Sequence, residues 1–333
     1  MCAMRRREFI ERTVAASVAV AALGQARLMA SVGARHASPA WGEPGRKSLV
    51  VKAVRDDATA DKKIDAAVVR NMVHAVVCRL AGKQKPEEAW PVYIKKDDVV
   101  GIKVSSKFGV GAATHPEVTA AIVEGCRMAG VPDDKIIVWD FEDKHLQISG
   151  YTINRGPGVK YRGVNADGWE DQPTAIHTCQ GRLAKILTRE ITALVNAPIL
   201  KSHPIVGYTN CLKNHYGSFH NPSEAHGAGC DPFMAHLNNL PVIREKSRLM
   251  ISDALLPVAD RGPQPAPQFV WEYKGILAST DPVAIDAVAL KILDEQRVKI
   301  GKPPASAKAK CLLTAAQMGL GVADMEKIEL VAV

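Results

Sequence analysis

The chain has 333 residues, of which 47% are hydrophobic and only 5% aromatic, with a formal charge of +8. That supports a large aliphatic core, in one α/β domain or two smaller ones. The first 34 residues carry five arginines and two glutamates, and without them the charge falls to +5, with no basic run interleaved with aromatics, which argues against a nucleic-acid partner.

Arg5-Arg6-Arg7-Glu8-Phe9-Ile10 matches the twin-arginine pattern R-R-x-F-[LI]. A small, apolar run from Thr13 to Gly24 follows, and Val32-Gly33-Ala34 offers a small-residue cleavage site. Residues 1–34 therefore read as a twin-arginine signal peptide, with the export machinery as partner and the periplasm as destination. The plainer alternative is a basic N-terminal tail. The apolar run is too short for a permanent membrane span, and no later stretch approaches 18 apolar residues. Residues 35–47, rich in Ala, Gly, Pro and Ser, read as a linker, and residues 48–333 as one α/β domain.

A helix is predicted from about Lys63 to Leu80. Asp98–Val104 has a strand's β-branched content. A polar, glycine-containing loop leads to Thr114-His115-Pro116-Glu117, where Thr114 and Glu117 form a predicted capping box and Pro116 suits a first turn. That helix runs to Ala129 and stops at Gly130. Lys135–Asp140 is the next strand, so strand, helix and strand make a βαβ unit with parallel pairing. Residues 144–185 are polar and weakly periodic and read as an irregular insertion with short strands. Further strands are predicted at 193–196, 249–253, 275–279 and 328–333. A helix follows Ser279, with Asp281 or Thr280 as its cap. The fold class is α/β, a mainly parallel sheet flanked by helices. Asp140, Asn196, Asp253 and Ser279 end strands, so they are expected to line one ligand-binding edge.

Six cysteines lie beyond the signal, and none forms C-x-x-C, so no iron–sulfur cluster motif or zinc finger is encoded. Cys126 sits on an apolar helix face and reads as core. An oxidising compartment would allow a Cys211–Cys230 disulfide.

Residues 196–232 hold four of the ten histidines together with Lys201 and Lys213. Lys103, Lys201 and Lys213 fall at or after strands or in this loop, and Thr114 opens a helix. Three ammonium groups at one edge suit a phosphate or carboxylate; otherwise they are unrelated surface lysines. A desolvated lysine could also act as a general base or form a Schiff base. His203, His215, His220, His226 and Asp231 offer ligands for a divalent metal, with His203, His215, His226 and Asp231 as the candidate set. Their spacings match no standard metal motif, and the plainer reading is histidines bonded to backbone. His115 precedes a helix proline and reads as a cap or anion contact. Asp253 ends a strand and suits acid/base work, Asp281 suits an N-cap, and Asp286 could pair with a lysine.

Taken in order, Gly101-Ile102-Lys103, Thr114-His115-Pro116, Asn196-Ala197-Pro198-Ile199-Leu200-Lys201-Ser202-His203, Lys213-Asn214 with Gly217, Gly229-Cys230-Asp231-Pro232, Asp253, Gly262-Pro263, and Ser279-Thr280-Asp281-Pro282-Val283-Ala284 with Asp286 resemble the DUF362 family over most of the mature chain. The family has no assigned function, so the resemblance implies the fold and the site rather than a reaction. Some relatives carry ferredoxin-like cysteine motifs, which this sequence lacks.

The expected function is an exported α/β enzyme acting on a small anionic ligand, with a divalent metal as possible assistant. Lys103, Lys201, Thr114, Asn214 and Asp286 would bind the anion. His203 or His215, with Lys213, would move a proton, and Asp253 would orient one of them. The alternatives are a periplasmic ligand- or metal-binding accessory protein without turnover, and a redox partner.

Overall fold

The computed structural model describes residues 47–333. The twin-arginine segment and linker residues 35–46 lie outside the described residues. Among the described residues ten strands form one mixed sheet. They are β1 (Ser48–Val54), β2 (Val100–Val104), β3 (Ile136–Asp140), β4 (Lys160–Gly163), β5 (Ala193–Ala197), β6 (Ile199–His203), β7 (Gly207–Thr209), β8 (Ser247–Val258), β9 (Gly275–Ser279) and β10 (Ile328–Ala332). The spatial order is β10-β1-β9-β8-β5-β2-β3-β4, with β6 pairing to β8 and β7. Pairing is parallel from β8 through β5, β2 and β3 to β4. The fold class is thus the expected one.

The central strands read as unbroken apolar runs because both faces are covered. One face carries Ile102, Val104, Val195 and Ile251 under α1 (Ala66–Ala81), α2 (Pro86–Tyr93) and α3 (Pro116–Met128). The other carries Leu194, Met250 and Leu277 under α4 (Pro282–Lys299) and α5 (Lys310–Gln317). Asp281 caps α4, its Oδ1 accepting from the amides of Val283 and Ala284. Gly130 follows α3 at φ +84°, the left-handed conformation that ends the helix.

Several expectations are corrected. Strand β9 runs antiparallel to both β8 and β1, because residues 259–274 supply no crossover helix. Ser279 therefore ends a strand that points the other way; it lies level with Met250, which pairs with Asn196, and its hydroxyl donates to Leu49 O. The capping box does not form. Thr114 Oγ1 instead donates to Ala197 O and accepts from Ser105 N, and His115 occupies the N-cap position. Helix α1 starts after Asp65, since Lys63–Ile64 pairs with Thr59–Ala60. The insertion contributes β4 to the main sheet as well as a separate hairpin, Thr174–Ile176 with Cys179–Gly181. Cys211 and Cys230 are free thiols, so the suggested disulfide is absent. Cys126 is core, as expected.

Candidate functional site

The carboxyl ends of β2, β3 and β5 present Lys103, Asp140 and Asn196 side by side, since Lys103 pairs with Asn196 and Trp139 across the sheet. Lys103 is wholly buried. Its Nζ donates to Asp140 Oδ1 at 2.6 Å, Val104 O at 2.8 Å and Asn214 Oδ1 at 3.3 Å. Three acceptors satisfy three N–H groups and leave none for a ligand. Asp140 Oδ2 also accepts from the amide and hydroxyl of Ser106. Burial pushes its pKa up, but Lys103 and these bonds outweigh that and hold the carboxyl below its usual range. Gly217 seals the pair, because a Cβ there would meet Asp140 Oδ1 and stand 2.8 Å from Lys103 Nζ. Lys103 was expected to bind the anion; its donors are instead spent on the protein.

Lys201 and Lys213 differ. Both are buried, at 2% and 6% exposure, and among the described residues neither has a carboxylate within ion-pair distance. Lys201 Nζ donates to Ala112 O at 2.5 Å and faces Ser105 Oγ at 3.4 Å, with the Phe108 ring 5.6 Å away. Lys213 Nζ lies 3.0 Å from His226 Nε2 and over the Tyr216 ring. Burial lowers both pKa values to about 7; Asp140 counters it only partly at Lys201, and the Cys230 thiol only partly at Lys213.

Two histidines complete this cluster, and backbone contacts fix their tautomers. His226 Nδ1 is 2.6 Å from Pro222 O, which can only accept, so Nδ1 carries the proton and Nε2 accepts from Lys213. His203 Nδ1 accepts from Ile205 N at 3.2 Å, which leaves Nε2 as the N–H donor. The two rings stack at 5.6 Å. Burial, then Lys213, His226 and Lys201, push the His203 pKa down to about 3. The exposed Lys107 acts on His203, His226 and Lys213 in the same sense. The cluster is a neutral-imidazole and amine site with uncompensated positive potential, suited to an anion.

The remaining candidates fall elsewhere. His215 is sealed in the core between Asn196 Nδ2 and Ser218 Oγ, and burial pushes its pKa down to about 3. Asn214 spends its amide on Lys103 O, Asn196 Oδ1 and Lys103 Nζ. Thr114 is buried with both partners internal. Among the described residues Asp286 meets no lysine; it accepts from Tyr208 Oη and the amides of Cys211 and Leu212, steadying the short helix Cys211–Asn214. Of the candidate metal set, His203 and His226 stack on each other, and each of His203, His215 and His226 has a ring nitrogen bonded within the protein. Among the described residues no group of three or more His, Cys, Asp or Glu side chains could hold a metal ion.

Asp253 orients neither His203 nor His215 but His115. Its Oδ2 lies 2.7 Å from His115 Nδ1 and accepts the His115 amide at 2.9 Å. Burial works against the imidazolium, but the Asp253 carboxylate outweighs it and raises the His115 pKa. The ring is partly exposed, and among the described residues its Nε2 has no hydrogen-bond partner. Asp253 pairs with Ile199 in parallel register, two residues before Lys201 on the same strand face.

Sequence reasoning missed Lys107, the Lys103–Asp140 pair and the His115–Asp253 pair. A lysine in the loop after a strand at the ligand edge was a usable signal for Lys107. Contacts spanning 37 and 138 positions leave no local signal.

The model of the DUF362 family, described as a domain of unknown function, matches residues 100–291. No curated protein matches the chain. Among solved structures, a structural-genomics protein from Thermotoga maritima is similar at 9% identity and a TM-score of 0.39, over 76% of this chain and 59% of that one. The lactate racemase apoprotein from Thermoanaerobacterium thermosaccharolyticum is similar at 9% identity and a TM-score of 0.34, over 72% of this chain and 56% of that one. The chain thus spans less than two thirds of the length of either.

Proposed function

The chain belongs to the DUF362 family, and from that premise we propose that it binds a small anionic molecule between Lys201, Lys213, His203 and His226 and acts on it by acid–base chemistry. The observation that carries this reading is the burial of two lysines without a carboxylate. A desolvated ammonium is costly unless a counter-charge arrives, so an anion entering this cluster gains what the protein leaves unmade. His203 offers its Nε2–H as a further donor. His115, held through Nδ1 by Asp253, is the proton carrier, with Nε2 turned away from the carboxylate that fixes the ring. The twin-arginine pattern at Arg6 and Arg7 supports export to the periplasm.

The test is calorimetric titration of the purified chain with phosphate, sulfate, lactate and pyruvate. At least one is expected to bind, and Lys201→Met and Lys213→Met are each expected to weaken it at least about tenfold, the loss of a charge-assisted bond. Equal binding by wild type and both variants, or none by wild type, refutes the site. Mass spectrometry of the bound anion after incubation separates turnover from binding alone.

A further inference from the structure

We propose that Lys213 is an imine-forming amine for a small 2-oxo acid, with His226 as its proton acceptor and Lys201 as the seat of the acid's carboxylate. The inference rests on the anion site above and adds a reaction class to it.

The geometry separates the two buried lysines. Lys201 Nζ is held by oxygen acceptors, Ala112 O and Ser105 Oγ, beside Phe108, whereas the partner of Lys213 is a base. Lys213 Nζ lies over the Tyr216 ring with His226 as its hydrogen-bond partner, and burial, with Lys107 and Lys201, favours the neutral amine against Cys230 and Cys311. A neutral amine keeps a lone pair for attack. Its hydrogen-bond partner is set up to receive a proton, because Pro222 O fixes the His226 tautomer with Nε2 unprotonated and 3.0 Å from Nζ. An amine with an adjacent base in a desolvated site is the arrangement that nucleophilic amine catalysis needs.

A 2-oxo acid combines the two groups such a pair would take, since it carries its anionic group on the carbon next to the carbonyl. Lys201 and His203 stand two apart on one strand, His203 stacks on His226, and His226 Nε2 lies 3.0 Å from Lys213 Nζ, so the carboxylate seat and the amine belong to one cluster. The lone pair of Lys213 Nζ forms the C–N bond as the carbonyl π bond opens onto oxygen. His226 Nε2 takes a proton from the nitrogen and returns it to that oxygen. The second amine proton follows, the C–O bond breaks, and water leaves the imine. No oxidant or reductant is required.

The experiment incubates the full chain with pyruvate and cyanoborohydride and maps the reduced adduct by peptide mass spectrometry, with pyruvate binding measured in parallel by calorimetry. One adduct is expected, at Lys213. His226→Asn is expected, at saturating pyruvate, to trap it at least about tenfold more slowly, the scale of lost acid–base assistance. Lys213→Arg, which keeps the charge, is expected to give no adduct. Binding without an adduct, an adduct on Lys201, or label spread over surface lysines overturns this inference and leaves the anion site standing. No binding of pyruvate or of the inorganic anions removes the site itself. If Lys213→Arg fails to fold, the wild-type map and the His226→Asn rate still decide.

Discussion

Lys103 Nζ lies 2.6 Å from Asp140 Oδ1 beneath the backbone of Gly217, a closed ion pair at the edge where ligand-binding groups were expected. Lys103→Met leaves Asp140 buried with its charge uncompensated. Breaking a buried pair from one side costs about 3–5 kcal/mol. Urea unfolding should show a loss of that order, with partial recovery when Asp140→Leu is added. A loss under about 0.5 kcal/mol, the scale of a surface lysine, contradicts the assignment.

Gly217 tests the same pair from above. Gly217→Ala drives a methyl group onto Asp140 Oδ1 and to within 2.8 Å of Lys103 Nζ. Overpacking of this kind costs about 1–3 kcal/mol. Thermal unfolding of the variant should reveal it, and an unchanged melting temperature would mean that the turn is not seated on the pair.

Lys201 and Lys213 should behave in the opposite way to Lys103. Burial lowers both from 10.5 to about 7 in the folded chain. Above 10.5 both states are neutral. Between about 7 and 10.5 the unfolded chain holds protons that the folded chain lacks, so stability rises with pH, by up to about 1.4 kcal/mol per pH unit for each lysine. Below about 7 the penalty is constant. The double variant Lys201→Met/Lys213→Met should lose most of the slope measured by urea unfolding from pH 7 to 9. A saturating anion should flatten it too, by favouring the charged forms. A wild-type slope matching the double variant's would remove the basis for the anion site.

His115 gives a second pH signature with its own sign. Its folded-state pKa is raised above 6.5, so its contribution is fully present below about pH 6.5 and is lost as pH rises through the raised value. Asp253→Asn removes the carboxylate and leaves burial, which lowers the pKa. NMR titration of the His115 ring should therefore show its pKa falling to 6.5 or below. A ring that titrates alike in both proteins is not held by Asp253.

The export reading is checked with Arg6→Lys and Arg7→Lys together. Precursor should accumulate in the cytoplasm, as seen by fractionation and immunoblotting. Undiminished mature protein in the periplasm would refute the twin-arginine assignment.

Much of the frame was legible because it is locally encoded. The run Val100–Val104 is buried on both faces, and Val100, Ile102 and Val104 supply the β-branched content that marks a strand. Gly130 and Asp281 act within a few residues of where they stand, so they read correctly as helix stop and helix cap. Thr114 did not, because its hydroxyl found Ala197 O across the sheet in place of its own helix. The direction of β9 was also hidden, since a five-residue apolar strand reads the same in either direction and only its pairing with β8 and β1 sets it.

The sequence by itself singled out candidate residues and brought Lys103, Lys201 and Lys213 under suspicion together. Composition and strand-end position suffice for that, since polar groups at the carboxyl edge of a parallel sheet face a common space. Only the tertiary structure decided which partners each lysine meets. Lys103 and Lys201 look alike in sequence, each near the end of a buried strand, yet one meets Asp140 at 2.6 Å and the other meets Ala112 O. The role of a buried ammonium depends on whether a carboxylate lies within a few ångströms, because in a low-dielectric interior that separation sets both its charge and the partners it still seeks. Those distances arise from strands and loops about 40 to 140 positions apart, and chain order does not contain them.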